Sequence, residues 1–294
     1  MAQNTLSVWL LASRPKTLPA AISPVFMGTA MAYADHGVHW VSALLALFGA
    51  LMIQIGTNLA NDYFDHKKGK DTHKRLGPIR VTQAGLVSDR GMQIAITIVF
   101  GLAFLAGIYL VHRGGWPIVI IGLLSLLFGI IYTAGPFPLA YIGIADLFAF
   151  LFFGPIALAG TYYVQTLDMT WPVLIAGIAP GCFSIALLTV NNLRDVDEDR
   201  STNKKTLIVR LGKSYAKGQY LIAMVVAMLI PIILWKLVPE HGLVLITLLA
   251  AIVVIPAIRG ISGSKQGRGL NTTLAQTGRT QMIYTILFII GWLI

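Results

Sequence analysis

The chain has 294 residues, of which 56% are hydrophobic and only 12% charged, with a mean hydropathy of +0.75. Soluble globular domains carry roughly a quarter charged residues, so this composition excludes an ordinary soluble enzyme and indicates a polytopic membrane protein. The net charge of +10 is no nucleic-acid signal, because the bases lie beside apolar spans, and no nucleic-acid partner is expected.

Taken in chain order, the apolar stretches predict an all-α integral membrane protein. A single membrane domain over 1–294 holds about nine transmembrane helices around a central cavity. The spans fall near 18–34, 41–61, 92–111, 116–133, 143–164, 172–193, 219–236, 242–258 and 280–294. Alternating strand-like segments are absent, which argues against a barrel. Trp40, Trp116, Trp171, Trp235 and Trp292 sit near predicted span ends, where interfacial anchors belong. The lone Cys182 reads as a small buried hydrophobe.

Bases set the orientation. Twenty of the 22 Lys and Arg lie before span 1 or between spans 2/3, 6/7 and 8/9; only Arg113 and Lys236 fall on the other side. The positive-inside rule then predicts a multi-pass protein of the inner (cytoplasmic) membrane, with the N-terminus and these segments cytoplasmic.

Two clusters of acids and amides end apolar spans on that same side. The first is Asn58-x-x-Asn61-Asp62-x-x-Asp65, opening a segment of about 62–91. The second is Asn191-Asn192-x-x-Asp195-x-Asp197-Glu198-Asp199, in a segment of about 194–218. Carboxylates are costly near a bilayer, so a pair of clusters implies a use for them. Asn58 and Asp62, Asn61 and Asp65, and Asp195 and Asp199 are each four apart, which puts each pair on one helical face. Such hard oxygen donors suit Mg²⁺ that also binds substrate phosphates. Bases follow each cluster: Arg75 and Arg80 after the first, Lys204 and Arg210 after the second. They suit a diphosphate, although basic segments on this side are expected in any case. The clusters follow spans 2 and 6, which suggests two similar four-helix halves plus one helix.

Two further residues stand out. Asp146 opens span 5 among apolar neighbours; it can orient or deprotonate a phenol, or serve as an interfacial acid near a helix N-terminus. Tyr132 can offer its π face to a carbocation or anchor the interface.

These motifs resemble the UbiA superfamily of intramembrane aromatic prenyltransferases. The strings Arg14-Pro-Lys-Thr-Leu-Pro19, Asn61 to Asp71, Arg75 to Arg80, Tyr132 to Pro136, and Asn191 to Asp195 through Lys204 to Gly212 are similar to its menaquinone branch, the 1,4-dihydroxy-2-naphthoate polyprenyltransferases. A third motif-1 acid expected of the hydroxybenzoate branch is replaced by Gly69. The resemblance implies an enzyme that moves a prenyl group from a polyprenyl diphosphate to 1,4-dihydroxy-2-naphthoate, with loss of CO₂, giving a demethylmenaquinone. It implies Mg²⁺ on Asn58, Asp62, Asp65, Asp195 and Asp199. It also implies phosphate contacts from Arg75, Arg80, Lys204 and Arg210, substrate contacts from Asn61, Asn191 and Asn192, and a prenyl tail open to membrane lipid. Asp146 and Tyr132 join the acids as catalytic candidates. Another acceptor, such as 4-hydroxybenzoate, homogentisate or a phytylated naphthoate, is the alternative within the class. A secondary transporter is the alternative outside it, and would place its acids at mid-membrane.

Overall fold

The computed structural model describes residues 5–70, 76–263 and 265–294. Every regular element among them is helical. Among the described residues, six helical stretches are long and apolar enough to cross a membrane: Trp40–Lys67, Asp89–Gly114, Ala145–Thr166, Trp171–Arg194, Lys213–Leu237 and Pro239–Ser262. Trp116–Ile131 is apolar but shorter. Length and hydropathy therefore do not fix the expected nine.

Local chemistry sets the helix ends. His39 caps Trp40–Lys67, its Nδ1 accepting from the Ser42 amide at 3.3 Å. Ser88 caps Asp89–Gly114 through its Oγ, which accepts from the Gly91 amide at 3.2 Å. Between Asp89–Gly114 and Trp116–Ile131 the chain reverses at Gly115, whose φ of 66° suits glycine.

Three predicted spans are broken rather than continuous. The stretch Pro239–Ser262 is a 3-10 segment, Pro239–Leu249, followed by the short helices Ala250–Val253 and Ile255–Ser262. The other two breaks come as a pair. Ala145–Phe152 stops at Gly154, and Pro155–Thr166 follows. Trp171–Ala176 stops at Gly177 before Ile178–Arg194. The breaks face each other: a Cβ on Gly154 would lie 2.6 Å from the Gly177 carbonyl, and one on Gly177 only 2.5 Å from Pro155 Cα. Only glycine permits this backbone approach.

The last helix, Leu270–Leu293, begins ten residues before the expected 280. Its buried face carries a run of polar residues, Thr273, Thr277, Thr280, Gln281 and Thr285, beside the apolar Leu270, Phe288 and Trp292. Thr277, Thr280 and Thr285 each donate to the carbonyl four residues back at 2.9 Å, the usual way to satisfy a hydroxyl inside a helix bundle. Tyr220 and Ser23 bond to Thr277 and Thr285.

Leu18–Ala34 packs on Trp40–Lys67, on Pro155–Thr166 and on Leu270–Leu293. It thereby joins the two sides of the bundle. The outer surface carries Ile94, Ile98, Leu102, Leu105, Ile120 and Ile222 fully or half in the open. So much exposed aliphatic surface suits lipid rather than water.

Candidate active site

Both acid clusters reach one cavity of about 1000 Å³. Of the residues expected there, Asn58, Asn61, Asp65, Arg80, Tyr132, Asn191, Asn192, Asp195, Asp199 and Lys204 line it.

The first cluster lies on the last turns of Trp40–Lys67. Asp65 accepts from Arg80 Nη2 at 2.7 Å and Lys204 Nζ at 3.1 Å, and from the Tyr141 hydroxyl. Lys204 follows the second cluster in sequence, so this ion pair joins the two motifs directly. Asn61 Oδ1 accepts from Thr133 Oγ1 at 2.8 Å. Asn58 Nδ2 donates to the Ser13 carbonyl and to Thr17 Oγ1, each at 3.0 Å.

The second cluster begins at the end of Ile178–Arg194. Arg194 grips Asp195 with two bonds, Nε to Oδ1 at 2.8 Å and Nη2 to Oδ2 at 2.7 Å. Its Nη1 donates to Asn271 Oδ1 at 2.9 Å, and Asn271 Nδ2 donates to the Leu76 carbonyl at 3.2 Å. Asp199 lies in the short helix Val196–Ser201. Burial pushes its carboxyl up to about 7; the Lys204 charge opposes that shift, while Asp195, Asp65 and Glu198 add to it.

Three expected residues are placed elsewhere. Asp62 is buried, and its two oxygens accept the backbone N–H groups of Val81 and Thr82, each at 3.0 Å. Its carboxylate pins the turn that presents Arg80 and does not line the cavity. Arg210 donates to the carbonyls of Lys205 and Ile142, each at 3.0 Å, and serves as a clamp between segments. Asp146 is buried outside the cavity and accepts from Gln219 Nε2 at 2.8 Å. Arg75 lies outside the described residues, as does Asp71.

Glu198 of the second cluster and Lys70, one of the bases after the first, also line the polar end. Three further residues there, Arg194, Asn271 and Gln54, were not singled out from the sequence. Arg194 stands beside the second motif, so proximity could have flagged it. Asn271 and Gln54 are isolated amides with no sequence signature. Arg14 also lines the cavity and has a φ of 52° ahead of Pro15, a strained conformation for a residue that is not glycine.

The cavity thus has two chemistries. One end gathers carboxylates, amides and bases. The other is walled by side chains such as Ile53, Phe104, Ile121, Phe128, Phe152 and Val164. The donors at the polar end are all oxygens, which suits a hard divalent cation. Among the described residues, no three His, Cys, Asp or Glu side chains gather to enclose a cation by themselves. A cation held by one or two carboxylates and completed by a substrate's phosphates fits this arrangement.

An apolar helical bundle enclosing such a cavity is a multi-pass membrane protein built for an amphiphile with an anionic head. The UbiA prenyltransferase family matches residues 21–293, and the chain belongs to that family. It is similar to the 1,4-dihydroxy-2-naphthoate octaprenyltransferase of Mycobacterium tuberculosis, 34% identical over 278 residues that span 95% of this chain and 94% of the relative. It is equally similar to the Escherichia coli protein of the same description, 34% identical over 290 residues, 96% of this chain and 94% of that one. Its fold matches a UbiA homologue from Archaeoglobus fulgidus bound to GPP and Mg²⁺, with a TM-score of 0.72 at 12% identity over 98% of this chain and 100% of the other.

Proposed function

We propose that this protein transfers a prenyl group from a polyprenyl diphosphate to 1,4-dihydroxy-2-naphthoate at the inner membrane, with its basic end toward the cytoplasm. The observation that carries the reading is the single cavity in which both acid motifs meet and from which an apolar lane departs. Relatives named for this reaction support the choice of acceptor.

Asp65, Asp195 and Asp199 would hold Mg²⁺, with Asn61 and Asn191 as neutral oxygen donors. Bound Mg²⁺ neutralises the diphosphate and favours its departure. Arg80, Lys204 and Arg194, now paired with carboxylates, would turn toward phosphate oxygens as the acids engage the metal. Ionisation breaks the allylic C–O bond, leaving diphosphate and an allylic cation. Tyr132 lines the cavity and presents a ring to that cation. The naphthoate ring forms the new C–C bond, and its carboxylate leaves as CO₂, giving the quinol form of demethylmenaquinone. The apolar walls exclude water that would quench the cation.

The test is product analysis. Purified protein, Mg²⁺, octaprenyl diphosphate and 1,4-dihydroxy-2-naphthoate should give a prenylated, decarboxylated product by mass spectrometry. Turnover of 4-hydroxybenzoate in place of the naphthoate would overturn the acceptor. No turnover of either would overturn the reaction.

A further inference from the structure

Three glycines in the apolar lane have no packing reason to be glycine. Gly49, Gly107 and Gly122 line the cavity, and a Cβ on any of them would meet nothing within 4 Å among the described residues. All three sit inside helices, at Trp40–Lys67, Asp89–Gly114 and Trp116–Ile131, where glycine is less stable than alanine.

Their register is shared. One level of these helices is fixed by Phe100, whose ring lies 2.9 Å from a Cβ built on Gly56 and 3.4 Å from one built on Gly129. Gly49 is seven residues before Gly56, Gly107 seven after Phe100, and Gly122 seven before Gly129. Seven residues are two turns, so each glycine repeats the facing of its partner about 10 Å further from the acids. The middle helix runs opposite to the other two, which is why its offset has the other sign. The glycines therefore form a collar around one axis. The cavity continues past it to Ala46, Val111 and Ile118. Toward the polar end of the same cavity Gln54 is 7% exposed, and its Oε1 has no hydrogen-bond partner among the described residues, a second sign that the cavity is made for a ligand.

We propose that Gly49, Gly107 and Gly122 form a collar that admits the distal part of a long prenyl tail and so sets donor chain-length selectivity. The inference rests on the prenyl-transfer reading above. From Asp65 to Gly49 the helix rises about 24 Å. An extended geranyl chain reaches about 10 Å and an octaprenyl chain about 40 Å, by ordinary C–C bond lengths. The short donor ends below the collar, and the long one crosses it.

The experiment compares kcat/KM for octaprenyl and geranyl diphosphate in wild type and in Gly49→Leu, Gly107→Leu and Gly122→Leu, with the alanine variants as milder steps. The inactive fraction of a poorly folded variant cancels in the ratio. The octaprenyl-to-geranyl ratio should fall at least about tenfold in the leucine variants, or 1.4 kcal/mol, and less with alanine. Gly101→Leu is the control. Gly101 is on the same helix as Gly107, exposed and outside the cavity lining, and its added Cβ meets nothing within 4 Å; its ratio should match wild type. An unchanged ratio in the collar variants, or an equal fall in Gly101→Leu, overturns the collar. Wild type that turns over neither donor overturns the prenyl-transfer reading instead.

Discussion

Asp62 and Asp65 are three residues apart on one helix and are used differently. Asp62 accepts two backbone amides, so Asp62→Asn keeps one acceptor and turns an NH₂ group toward a donor. Leaving a buried amide unsatisfied costs about 1–3 kcal/mol, and the turn carrying Arg80 loosens. Asp65 faces Arg80 and Lys204, whose side chains are only 5% and 11% exposed. Asp65→Asn strands both charges, and breaking a buried pair in this way costs about 3–5 kcal/mol. Both variants should lose turnover, and Asp65→Asn should melt lower in detergent. Magnesium titration of the residual turnover separates them: half-saturation shifts upward in Asp65→Asn and stays at the wild-type value in Asp62→Asn. A shift in Asp62→Asn would return that carboxylate to the metal. The sequence could mark both acids, because spacing places them near one face. It could not show which of them a distant turn at Val81 and Thr82 claims.

The turn Pro15–Thr17 is docked on the face of Trp40–Lys67 that carries Gln54 and Asn58. Thr17 Oγ1 donates to the Arg14 carbonyl at 2.9 Å, and accepts from Gln54 Nε2 at 3.1 Å and Asn58 Nδ2 at 3.0 Å. One hydroxyl thus holds Arg14 in its strained conformation and sets the rotamers of two amides lining the cavity. Thr17→Val keeps the shape and deletes the three bonds. We expect the KM for the aromatic acceptor to rise about tenfold, a loss of 1.4 kcal/mol, with the KM for the prenyl donor unchanged. Steady-state kinetics with each substrate varied in turn checks this. Equal change in both constants would assign the turn a general structural role. Elements of this kind were only partly legible. Hydropathy located the apolar stretches but smoothed over the breaks at Gly154 and Gly177, because a helix break between apolar residues leaves the average unchanged. It also hid the first ten residues of Leu270–Leu293, where the polar Thr273 and Thr277 face inward.

Across the whole molecule, the segments after the two acid motifs are tied together at the polar end. Besides Lys204 on Asp65, Lys70 Nζ donates to the Thr202 carbonyl at 2.5 Å, and the Lys205 amide adds Leu139–Ile142 by donating to the Tyr141 carbonyl at 2.9 Å. The Arg194–Asn271–Leu76 chain adds the last helix to the same junction. Sequence marked the shared side of the motifs through its bases, but these cross-links join residues more than sixty positions apart and leave no local pattern. Their arrangement pairs Asp65 with Arg80 and Lys204, and Asp195 with Arg194, bases that are themselves suited to phosphate. A cation without an anion must compete with those bases, and an anion without a cation meets the carboxylates. Mg²⁺ and inorganic diphosphate should therefore bind cooperatively, and the pair should raise the melting temperature of the detergent-solubilised protein by more than the sum of the two alone. Ligand at a hundred times its dissociation constant stabilises by about 2.7 kcal/mol, well within reach of a thermal shift. EDTA should abolish both the shift and the turnover, and Mg²⁺ should restore them. In Asp195→Asn the joint shift should vanish, while diphosphate alone should bind better, because Arg194 is released from its acid. Additive shifts, or a joint shift that survives Asp195→Asn, would mean that the second motif does not share the cation with the first.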